Sequence, residues 1–127
     1  MVVVLIHWRI KPTEEAEAAF FCYWKHVATI DDKSSLAAEY LSAPMSPQEI
    51  PFRVDDLTFG HGILNCKHFI NVGIWETWDA FYEQVGKHMK DDAPLQPFEA
   101  DRRTRTVLLP KQSRIGTWSL PSEGTCE

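Results

Sequence analysis

Asn71 and Trp75 stand four residues apart with Gly73 midway, inside the stretch FINVGIWETWDAFYEQV, Phe69 to Val85. On a β-strand, alternate residues share a face, so an amide, a bare backbone and an indole line up on one side, the outer two about 13 Å apart. The amide has an acceptor and two donors for a phenol or quinone oxygen, the indole can pack on a ring, and the glycine leaves space between them. His7 is the candidate base, because an imidazole titrates near neutral pH. Trp8, Gly73, Phe81, Tyr82 and His88 complete the set of candidate ligand-binding residues. Each has a plainer reading. Asn71 in an apolar strand needs only a hydrogen-bond partner, Trp75 at a strand end suits a core or an interface, and His7 serves equally as a hydrogen-bonded core histidine.

Other chemistries find little support. Cys66 and His68 share a strand face with His61 nearby, but a zinc site needs three or four convergent ligands, so no metal is expected. No serine or cysteine sits in a nucleophile-elbow motif, and no glycine-rich phosphate loop occurs.

The elements that must position these residues follow from the pattern. VVVLIHWRI, Val2 to Ile10, is β-branched and apolar at nearly every position, which predicts a strand covered on both faces. His7 and Arg9 share one face of it, Ile6 and Trp8 the other. Thr13 is the expected N-cap of a first helix, with Glu14 and Glu15 at the positive end of its dipole. Ala16, Phe20, Tyr23, Val27 and Ile30 recur at helical spacing and carry that helix to about Asp31. Ser34 to Pro44 is compatible with helix or strand. The order of the other elements asks for a strand. Pro44, Pro47 and Pro51 open a long connection to about Gly62, with FGHGI turning at its end; its length points to a functional loop or an oligomer contact.

A third strand is expected over about Leu64 to Glu76, and a second helix from the Thr77 cap to about Lys90. Its stripe is Trp78, Phe81, Tyr82, Val85 and Met89, with Trp78 reading as core. A fourth strand covers Arg102 to Pro110, and Arg114 to Pro121 adds a short strand or an arm. The order β-α-β-β-α-β is that of an α+β ferredoxin-like sandwich, an antiparallel sheet with both helices on one face. The expected organisation is one domain over 1–127, with its core at about 2–109 and an arm at 110–127. No further helix remains for the second sheet face, and a second copy packed sheet to sheet covers it most simply.

Composition narrows the classes further. The chain has 127 residues, 44% of them hydrophobic and 12% aromatic, enough for a folded core. A net charge of -5 argues against nucleic-acid binding, and the cluster Arg102, Arg103 and Arg105 reads as a solvated strand edge. No apolar run approaches the roughly 20 residues of a membrane span, and the opening MVVVLI lacks a basic leader. Three widely spaced cysteines suit reduced thiols, so the expected location is cytoplasmic.

With these elements in place the chain resembles the dimeric α+β barrel superfamily, specifically the antibiotic-biosynthesis monooxygenase-like domains, over about Val2 to Leu109. The resemblance rests on the first strand and helix and on NVGIWETWDAF, where a tryptophan closes strand three ahead of a polar residue, a helix cap and an Ala-Phe pair. It implies a homodimer and a cofactor-independent monooxygenase-like activity on a small aromatic or quinonoid metabolite. Asn71 and Trp75 match the Asn and Trp of quinone-forming members. Phe81 stands where those enzymes have a tyrosine, and no arginine aligns with theirs, though Arg102, Arg103 or Arg105 could substitute. Of the haem-degrading members' residues only Trp75 is matched well, which leaves haem degradation a third reading. A non-catalytic dimeric binding or structural protein of the same fold is the alternative.

Overall fold

The computed structural model describes residues 1–55, 57 and 65–122. Four strands form one sheet: β1 (Val2–Ile10), β2 (Leu36–Ser42), β3 (Lys67–Trp75) and β4 (Glu99–Leu108). Their order is β2-β3-β1-β4, with every neighbouring pair antiparallel. Two helices, α1 (Glu14–His26) and α2 (Trp78–Gln84), complete an α+β fold of ferredoxin-like order.

Register sets the faces. Trp8 pairs with Phe69 and Val2 with Trp75, so the even residues of β1 and the odd residues of β3 share one side. That side is buried: Val2, Val4, Ile6, Trp8, Ile10, Phe69 and Trp75 form the core. Both helices lie over it. The Phe20 ring of α1 sits 4.8 Å from Trp8 and 5.4 Å from Phe69, and the Phe81 ring of α2 sits 5.9 Å from Trp75, all between centroids. The opposite side carries Val3, Leu5, His7, Ile70, Val72 and Ile74, each only half-buried. Expected cover on both faces of β1 is therefore present on one face among the described residues.

Both helix starts follow the capping rule. The Thr13 and Thr77 hydroxyls accept from the N–H groups of Ala16 and Ala80, at 3.1 Å each. Both helices end earlier than their apolar stripes. The N–H groups of Val27 and Ala28 both turn onto the Tyr23 carbonyl, closing α1 where β-branched Val27, Thr29 and Ile30 lower helix propensity. Gly86 ends α2 in a tight turn, Gly86–His88. A Cβ there would meet the Tyr82 ring at 3.1 Å and the Phe81 ring at 3.2 Å, so any larger residue must push those rings aside by a few tenths of an ångström. Trp78, expected in the core, stacks on Tyr82 on the exposed side of α2. A helix of only seven residues buries one residue of its stripe well, and Phe81 takes that place.

Within the segment 34–44, Leu36–Ser42 is a strand, as the element order required. β4 begins three residues earlier than its β-branched run, at Glu99, whose carboxylate accepts from the Gln96 N–H and the Arg103 guanidinium. Of the short strand or arm expected over Arg114 to Pro121, no strand forms, and Ile115, Trp118 and Leu120 are exposed. The described part of the long connection includes a short turn, Pro47–Glu49, and its FGHGI end lies outside the described residues, as does His61. No described helix is long and apolar enough to cross a membrane.

Candidate functional site

Because α1 and α2 stop short, the sheet's helix side is left uncovered beyond their C-terminal ends. A cavity of about 650 Å³ opens there, within the size range of small-molecule sites. Trp8 from β1 and Tyr23 and Trp24 from α1 make its aromatic wall. Val85 and Met89 come from the end of α2 and the turn after it, and Asn71, Glu39, Arg103 and Arg105 from the sheet.

Asn71, 3% exposed, reaches this cavity with its amide oriented. Trp24 Nε1 can only donate, and it does so to Asn71 Oδ1 at 3.1 Å. That contact fixes the flip of the amide, so its NH2 faces the Glu39 carboxylate, and Nδ2 donates to Glu39 Oε2 at 3.1 Å. Glu39 is largely desolvated, and burial pushes its carboxyl above the usual range against the opposing Asn71 hydrogen bond and the Lys33 charge. It is a carboxyl able to accept or return a proton, and sequence reasoning passed over it. Strand register, which no local pattern shows, brings it there: Glu39 lies opposite Gly73 on the neighbouring strand, hence on the Asn71 face.

Trp75 shares that face but not the cavity. It is 1% exposed and packs edge-on to Phe81. Its indole folds back over Gly73: a Cβ on Gly73 would meet Trp75 Nε1 at 3.1 Å and Glu39 Oε2 at 3.7 Å. The gap expected at Gly73 is thus filled by the chain's own indole and carboxylate. Phe81 is core, and Tyr82 is exposed on the far side of α2. His88 lies at the cavity rim, and Trp8 lines the cavity.

His7 is on the opposite sheet face and cannot reach a ligand held at Asn71. There it belongs to a row of polar side chains. Arg9 Nη2 donates to His7 Nδ1 at 3.3 Å, His7 Nε2 lies 2.9 Å from His68 Nδ1, and His68 Nε2 lies 3.4 Å from Cys66 Sγ. Since the guanidinium only donates, neutral His7 carries its proton on Nε2 and gives it to His68 Nδ1, which puts the His68 proton on Nε2, toward sulfur. Burial raises the Cys66 thiol pKa, so the sulfur stays protonated and poorly nucleophilic. Among the described residues no cluster of three metal-ligating side chains occurs.

Of the arginine cluster, Arg102 is exposed on the edge strand β4 as its sequence suggests, whereas Arg103 and Arg105 are half-buried. Arg103 lies over the Trp8 ring, Cζ 4.0 Å from its centroid, and its Nη2 donates to Glu99 Oε1 at 2.6 Å. Arg105 Nη1 donates to Asp91 Oδ1 at 2.6 Å. Arg105 pairs with Ile6 and Arg103 follows it by alternation, so both face the cavity side; after two register shifts Glu99 pairs with Ile10 on the same side, while Asp101 is turned to the Arg9 side. Fold and cavity together define a small α+β protein with an aromatic-walled site of ligand size. No protein-family model matches the chain, and no curated protein matches it in sequence.

Proposed function

We propose that the protein is a cofactor-independent monooxygenase-like enzyme acting on a small aromatic or quinonoid metabolite held in this cavity. The observation that carries the reading is the Asn71 amide, oriented by Trp24 and presented in a wall of aromatic rings. An amide donor suits a ring oxygen and stabilises negative charge on it, and Trp8, Tyr23 and Trp24 suit the ring itself. A phenolate is electron-rich enough to react with dioxygen directly. With a free para position, one oxygen atom enters the ring to give a quinone, and the other leaves as water with the two displaced hydrogens. The protein's part is to bind the phenol, favour its ionised form and exclude bulk water.

The enzyme works as a homodimer of the dimeric α+β barrel type. The support is the half-buried apolar row Val3, Leu5, Ile70, Val72 and Ile74, which no described helix covers. A second reading, a non-catalytic binding protein of the same fold, is favoured by Phe81 where quinone-forming enzymes have a tyrosine and by Trp75 being packed away from the cavity. Oxygen uptake with a panel of phenols and hydroquinones separates the two. Wild type is expected to exceed the Asn71→Ala variant by about 10²-fold, the usual loss for one oxyanion donor. Equal rates sink the mechanism, and wild-type binding without uptake selects the binder. Sedimentation of a monomer at micromolar concentration would refute the dimer.

A further inference from the structure

We propose that Glu39 is the proton acceptor of the cavity, and that the ligand it selects is a neutral phenol or enol whose hydroxyl donates to the Glu39 carboxylate. The assignment rests on reading the cavity as a site for an aromatic ligand. Trp24, Asn71 and Glu39 form a row in which each donor points toward the carboxylate: indole N–H to amide oxygen, amide N–H to Oε2. The second Asn71 N–H has no acceptor among the described residues, and it belongs to the same nitrogen that holds Glu39. A phenol oxygen that accepts this N–H therefore lies within reach of the carboxylate. His7, the other candidate base, is on the far side of the sheet.

In the step itself the phenol O–H bond breaks and the proton forms a bond to a Glu39 oxygen. The electron pair stays on the phenolate, whose charge meets the Asn71 N–H. Three features suit Glu39 to this exchange. Its burial already raises the cost of its own charge. Neutralising it removes the repulsion that a second anion would meet. Trp24 and Asn71 hold the geometry in both states, since neither donor has to move. A carboxylate kept only for structure would gain nothing from facing a cavity of aromatic rings.

The test uses the whole chain and 2-naphthol, a stable phenol, titrated by calorimetry between pH 4.5 and 8.5. Wild-type affinity is expected to rise about tenfold or more as pH increases through the Glu39 titration, because the charged carboxylate accepts from the naphthol hydroxyl more strongly than the neutral acid does. Glu39→Gln keeps an acceptor for Asn71 but takes no proton; it should bind about tenfold more weakly with no pH dependence. Glu39→Asp retains the titrating group and should keep a pH-dependent affinity, which tests the proposal even if the glutamine variant folds poorly. Equal affinities and equal pH profiles in wild type and Glu39→Gln overturn the assignment. So does a pH-independent Glu39→Asp, or failure of naphthol to bind wild type at any pH. Glu39-dependent naphthol binding without oxygen uptake from any phenol overturns the oxygenase reading and supports this one.

Discussion

Replacing Asn71 by aspartate keeps the shape of the side chain and puts a second carboxylate against Glu39. One aspartate oxygen still accepts from Trp24 Nε1; the other takes the place of the amide nitrogen, 3.1 Å from Glu39 Oε2. With charge centres about 4 Å apart and an effective dielectric constant of about 20, the repulsion is about 4 kcal/mol. The folded pair avoids that repulsion by keeping one proton, which then bridges the two carboxyls. The sign follows from linkage. The pair's upper pKa is raised in the folded state, so its stability is intact below the ordinary carboxylate range and is lost as pH rises through the raised value. The slope is about 1.4 kcal/mol per pH unit, so the full 4 kcal/mol is lost over about 3 pH units. Thermal melts from pH 4 to 9 read this directly. The variant should melt close to wild type at pH 4 and about 12–20 °C below it at pH 8, taking about 3–5 °C per kcal/mol for a chain of this size. A melting gap of the same size at pH 5 and pH 8, or no gap at pH 8, refutes the Asn71–Glu39 contact and the desolvation of Glu39.

Three further outcomes follow from the geometry. Arg103→Met removes the cation from Glu99, whose side chain is 1% exposed, and should cost about 3–5 kcal/mol in urea unfolding, with much of the loss recovered by adding Glu99→Gln. Gly73→Ala drives a methyl to 3.1 Å from the indole of the fully packed Trp75; a loss of about 1–3 kcal/mol and a changed near-ultraviolet tryptophan signal are expected. His7→Gln, on the other face of the sheet, should leave 2-naphthol affinity at pH 7 within about twofold of wild type, as a calorimetric titration would show, because independent sites couple weakly.

Parity and capping made most of the scaffold legible. The apolar run Val2–Ile10 is a strand over its whole length, Thr13 and Thr77 cap the two helices, and Asn71, Gly73 and Trp75 do share a strand face. These are local facts, set by side-chain alternation and by hydrogen bonds spanning three residues. The element order carried the rest of the topology, including the strand at Leu36–Ser42, whose own composition was neutral between helix and strand. Helix length was not legible, because each apolar stripe runs on past the residue where tertiary contacts turn the chain. Val27 and Met89 continue their stripes in sequence, yet they border the cavity rather than extend a helix.

What the amino-acid sequence determined alone was the candidate face: an amide, a gap and an indole on one side of β3. What only the tertiary structure decided was which of them meets open space. Trp75 turned its ring back over Gly73 and closed that end, since an indole beside a bare backbone gains more from packing than from exposure. Asn71 was left at the open end beside Glu39, a residue about thirty positions away that register alone brings to it. Strand pairing also put His7 behind the sheet, because side chains alternate across a strand, whatever their chemistry.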